Sequence, residues 1–98
     1  MEKLVRDRIP EIIAEEKSSE VAYRIADRAE YSGFLLKKLT EEVQEFLESR
    51  EPLELADILE VVHQLGRETG LNPEDIEQLR REKEIRRGGF QKRIIMDF

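Results

Sequence analysis

Two short runs hold the residues best suited to chemistry, Thr40-Glu41-Glu42-Val43-Gln44-Glu45-Phe46 and Glu54-Leu55-Ala56-Asp57. Residues three apart are neighbours on a helix, so Glu42 with Glu45, and Glu54 with Asp57, form two carboxylate pairs. Carboxylates at this spacing repel, which costs stability unless a cation sits among them. Hard anionic oxygens from two adjacent helices suit Mg²⁺, with Mn²⁺ as the alternative, because such ions keep positions open for water and phosphate. The competing explanation is composition: 18 of the 98 residues are Glu, so acid pairs arise by chance and most are simply solvated. Acids early in the second helix are also favoured by its dipole. Glu54 tips the balance. At about 100° per residue it falls inside the apolar face of Ile58, Val61 and Leu65, where an ionised carboxylate needs a proton, a partner or a metal. Glu42 borders the apolar arc of its own helix, Glu45 lies farther along that flank, and Glu41 and Glu48 point away.

The elements that must position these acids are legible from periodicity and caps. Asp27-Arg28-Ala29-Glu30 has capping-box spacing, and Leu35, Leu36, Leu39, Val43, Phe46 and Leu47 continue a helix to about Glu48. Pro52 suits the start of a second helix, which runs to about Thr69 with Gly70 after its end. Its apolar face is wider than one packing partner requires. Leu71-Asn72-Pro73-Glu74-Asp75-Ile76 opens a third helix, with Asn72 as cap, Asp75 completing the box and Gly88-Gly89 as terminator. That helix begins apolar at Ile76 and Leu79 and becomes basic at Lys83 and Arg87, so it is expected to carry cations toward the acids. Before these, Asp7 is expected to cap a short helix containing Pro10, Ile12 and Ile13. Val21–Ile25 and Lys92–Met96 alternate as strands do and are expected to pair as a minor two-stranded element.

The fold class that follows is all-α: one small helical bundle over residues 1–98, with that minor β element. Charged residues make up 41% and aromatics 6%, so the helices carry thin apolar stripes that need a partner, and a homodimer or homotetramer is expected. A net charge of −6 argues against a nucleic-acid polymer as partner. The absence of cysteine excludes disulfides and thiolate metal sites. No apolar run is long enough for a membrane span, so the expected location is the cytoplasm. His63, the sole histidine, lies off the apolar centre of its helix and reads as a structural residue. No Glu-x-x-His pair supports a di-iron site, and no glycine-rich loop precedes a helix. Of the scattered bases, Arg6, Lys83 and Arg87 are the candidates for phosphate contacts.

Glu41-Glu42-x-x-Glu45 followed by Glu54-x-x-Asp57 resembles the metal motif of the MazG-like all-α nucleotide pyrophosphohydrolase superfamily. Three further stretches are similar to its small phosphoribosyl-ATP pyrophosphohydrolase-like branch: Lys3-Leu4-Val5-Arg6-Asp7-Arg8-Ile9-Pro10-Glu11-Ile12-Ile13, Glu54 to Val61, and Arg87-Gly88-Gly89-Phe90. The resemblance implies an oligomeric helical bundle with sites built from more than one subunit. It also implies Mg²⁺-dependent cleavage between the α and β phosphates of a nucleotide, with Glu42, Glu45, Glu54 and Asp57 as metal ligands. Lys83 and Arg87 match the Lys-x-x-x-Arg that contacts phosphates, and Glu41, which the helical wheel points outward, would orient or deprotonate the attacking water if the local geometry turns it inward. Two departures accompany the match. Only eight residues separate Glu45 from Glu54, and Arg81 stands where the family often has Asn, so base recognition does not carry over. Phosphoribosyl-ATP hydrolysis in histidine synthesis is the alternative activity, and a helical module that binds nucleotide or metal without turnover is the alternative outside enzymes.

Overall fold

The computed structural model describes all 98 residues and contains four helices and no strand: α1 (Ile9–Lys17), α2 (Arg28–Ser49), α3 (Pro52–Glu68) and α4 (Pro73–Arg87). The caps formed where side-chain chemistry demanded them. Asp27 accepts from the Glu30 amide while Glu30 accepts from the Asp27 amide, and Asn72 and Asp75 repeat the exchange at α4. Arg50, in the left-handed conformation, ends α2 and turns the chain into α3, so the two acid-bearing helices pack as an antiparallel hairpin. Asp7 does not cap α1; Arg8 stands at that position without a side-chain bond to the helix backbone, and the Ile9 amide donates to the Arg6 carbonyl.

The expected β element is absent. Val21–Ile25 and Lys92–Met96 are irregular and largely exposed. A two-stranded ladder alone buries too little to hold together, and neither segment finds a helix face to rest on. Alternation of side chains is a necessary mark of a strand and not a sufficient one.

Packing is helix on helix, α2 against α3 and α3 against α4, with α1 touching none of them closely. Gly66 makes the second junction. Its carbonyl accepts from the Thr69 amide and hydroxyl and from the Leu71 amide at 2.8–2.9 Å, and Gly70, at φ +81°, lets the chain reverse. A Cβ at Gly66 would stand 3.2 Å from both Ile76 Cγ1 and the Leu71 carbonyl oxygen. The Gly66→Ala variant is therefore expected to lose about 1 kcal/mol, the crowding outweighing the helix preference of alanine. Urea unfolding checks it; a variant as stable as the parent would show that α4 docks loosely enough to move aside.

One chain by itself is thinly packed. Only four residues are buried, Leu35, Glu42, Val61 and Gly66, and the exposed surface is 8889 Å². A monomer of this mass ordinarily exposes about 5,800 Å². The radius of gyration is 17.4 Å, against about 13 Å for a compact chain of this length.

Candidate metal centre

The hairpin has two unlike sides. At about 100° per residue, Lys38, Glu42 and Glu45 occupy one flank of α2. On α3 the matching flank carries Asp57, Glu60 and Gln64, and in an antiparallel pair these flanks lie on the same side. The opposite side presents Leu36, Val43 and Leu47 from α2 with Leu55 and Leu59 from α3, all exposed.

On the polar side Glu42, Glu54 and Asp57 converge, each offering a carboxylate oxygen within 4.8 Å of the others. Glu42 is the enclosed member, with 7% of its surface exposed, whereas Glu54 and Asp57 are half-buried. This reverses the expected order, in which Glu54 lay within the apolar face and Glu42 at its edge. The reason is position along the hairpin: Glu42 lies well inside α2, on the same face as buried Leu35, while Glu54 sits in the first turn of α3, near the end of the hairpin. Burial pushes the Glu42 carboxyl above its ordinary value, and the charge of nearby Glu45 adds to the effect. Lys38, 3.3 Å from Glu42 Oε1, opposes it. The other oxygen, Glu42 Oε2, is buried without a hydrogen-bond partner. A buried acceptor in that condition is costly, and a hard cation satisfies it. The donor set, three carboxylates and no soft ligand, fits Mg²⁺ or Mn²⁺.

Glu45 is half-buried beside this group without being one of the three that converge. Glu41 is not free in solvent: Lys3 Nζ lies 2.6 Å from Oε1 and Lys38 Nζ 3.6 Å from Oε2. Lys3, and more weakly Lys38, hold its carboxyl below the usual range. Arg6 Nη2 donates to Asp57 Oδ1 at 2.8 Å. A cavity of about 340 Å³ adjoins the acids, with Leu35 and Val61 among its apolar lining, Lys38, Tyr31 and Gln64 among its polar lining, and residues 4–7 closing one side. Lys83 and Arg87 are not brought to the acids within one chain. They are exposed on the later turns of α4, which packs against α3 alone. His63 is half-buried on α3.

Sequence reasoning passed over Lys3 and Lys38. For Lys38 the signal was present, since it stands three and four residues before Glu41 and Glu42. For Lys3 there was none, because only the path of residues 1–8 over the hairpin brings it to Glu41. No helix is long and apolar enough to cross a membrane. Compared with models of known protein families, with curated proteins and with solved structures, the chain has no match.

Proposed function

We propose that the chain is a Mg²⁺-dependent nucleotide pyrophosphohydrolase of the MazG-like superfamily, cleaving the α–β phosphoanhydride of a nucleoside triphosphate or related nucleotide to a monophosphate and pyrophosphate. The observation that carries this reading is Glu42, a buried carboxylate that has one oxygen without a partner and converges with Glu54 and Asp57. These three, with Glu45 alongside, would hold the metal. Bound there, a divalent ion supplies a water of lowered pKa and neutralises phosphate charge.

The chain's own residues do the rest. Glu41, held ionised by Lys3 and Lys38, is a carboxylate able to take a proton from the attacking water once those cations turn to phosphate. Arg6 and Lys38 stand beside the acids, where they offset charge on the leaving pyrophosphate. The adjoining cavity, about 340 Å³, lies within the size range of small-molecule sites and receives the nucleoside. Lys83 and Arg87 serve a site only across a subunit boundary, which agrees with a chain that leaves so much apolar surface open as a monomer.

Pyrophosphate release with Mg²⁺, measured across canonical and damaged nucleoside triphosphates and phosphoribosyl-ATP, tests the activity and separates its substrates. Glu54→Gln is expected to be inactive, and so is Arg87→Ala. Mixing the two inactive proteins is expected to restore hydrolysis that neither shows alone, because one assembled site then has intact acids and an intact arginine. Mixtures that stay inactive would place Arg87 outside the site. Full activity in Glu54→Gln would remove the metal from the reaction.

A second reading has its own support. Lys3, Arg6 and Lys38 already neutralise Glu41, Asp57 and Glu42, as expected of a nucleotide- or metal-binding oligomerisation module without turnover. Nucleotide binding without product release in the same assay would favour it.

A further inference from the structure

The segment before α1 crosses the acidic side of the hairpin and is held there almost wholly by side chains. No backbone hydrogen bond ties residues 1–5 to any helix. Arg24 fixes the start of the crossing, donating to both Glu2 oxygens at 2.8 and 3.0 Å while also gripping Glu30. Leu4 is half-buried, and with Val5 it closes one side of the cavity beside the acids. On either side of these two residues a cation reaches down: Lys3 to Glu41 at 2.6 Å and Arg6 to Asp57 at 2.8 Å.

Arg6 therefore occupies an oxygen of a carboxylate that belongs to the converging acid group. A guanidinium on Asp57 and a divalent ion held by the same acid group would repel one another, so each weakens the other's hold on that carboxylate. We propose that residues Lys3–Arg6 form a counter-ion strap that competes with divalent metal for the acids, so that metal binding lifts Arg6 from Asp57 and frees it toward an incoming phosphate. The proposal rests on the metal-site reading above and adds to it a closed, metal-free state with its own cations in place. The strap is suited to reversal. Both ion pairs are partly solvent-exposed, with Arg6 and Lys3 each about half exposed, and exposed pairs contribute little. Arg24, tethered at the far end, keeps the released segment close to the hairpin.

Calorimetric titration of the full chain with Mn²⁺ tests this, using Arg6→Ala and, as a control, Arg8→Ala. Arg8 lies in the same segment and its loss changes the charge equally, but it pairs with Glu11. Arg6→Ala is expected to bind Mn²⁺ about threefold tighter than the parent, the size set by one exposed ion pair, and Arg8→Ala to bind like the parent. In the parent, Mg²⁺ saturation is expected to move the Arg6 side-chain Nε resonance and leave that of Arg24 in place. Binding by Arg6→Ala alone would be the strongest form of the same result. Equal affinity in parent and Arg6→Ala overturns the strap and leaves the metal site standing, and equal tightening in Arg8→Ala reduces the effect to overall charge and also overturns it. No Mn²⁺ binding by any of the three proteins overturns strap and metal site together.

Discussion

Glu42→Gln is expected to abolish divalent-metal binding and lower the hydrolytic rate by about a thousandfold or more, while leaving the metal-free protein more stable than its parent. The two halves have one cause. Glu42 is the enclosed acid, with one oxygen held by Lys38 and the other unpartnered. As a ligand its charge is indispensable, and a metal's electrostatic contribution of several kcal/mol corresponds to about three powers of ten in rate. Without metal the same charge is a burden, because burial disfavours it. The sign with pH follows from linkage. A carboxyl raised in the folded state binds its proton more readily there than in the unfolded chain, so its cost is fully present above the raised value and fades as pH falls through it. The gain from Glu42→Gln, about 1 kcal/mol or about 4–8 °C in melting temperature, should therefore appear at neutral pH and shrink on acidification. Thermal melts at matched protein concentration and two pH values, beside a Mn²⁺ titration, check both halves. Lowered stability at neutral pH would make Glu42 a structural partner of Lys38.

The second large effect is expected on the opposite side of the hairpin. In solution the chain should sediment as a dimer or larger assembly, and Leu36→Glu with Leu59→Glu should return it to a monomer that melts at a lower temperature and loses its concentration dependence. The excess exposed area, about 3,000 Å² over a compact monomer, is more than the roughly 800 Å² per partner of an ordinary stable interface. Leu36 and Leu59 are 58% and 52% exposed, and they lie on the apolar side with Val43, Leu47 and Leu55. A glutamate in a buried contact desolvates a charge, which an association of this kind does not tolerate. Sedimentation velocity across a range of concentrations measures it. A parent that sediments as an 11.6 kDa monomer would remove the assembly and, with it, the role of Lys83 and Arg87 across a boundary.

The helices themselves were legible in the sequence, because capping is local chemistry. Asp27 with Glu30, and Asn72 with Asp75, are three residues apart and meet wherever the chain turns helical, so α2 and α4 begin where those residues stand. Pro52 and Gly70 likewise bound α3 by their own backbone preferences. The candidate acids were legible for a related reason: i to i+3 spacing on two consecutive helices is a property of the helix alone. What no local rule could supply was the order of burial among them. A helical wheel places Glu54 in an apolar face, but how deeply a side chain sinks depends on where along its length that face meets a partner, and the residue the fold encloses is Glu42. The missing strands have the same origin, since a ladder needs a neighbour that alternation cannot provide. The ion pairs Lys3–Glu41 and Arg6–Asp57 span 38 and 51 residues along the chain, so only the path of the first segment across the hairpin created them. Charge and spacing in the sequence determined that an acidic site is available; the tertiary structure decided which carboxylate is costly to bury and which cations answer the rest.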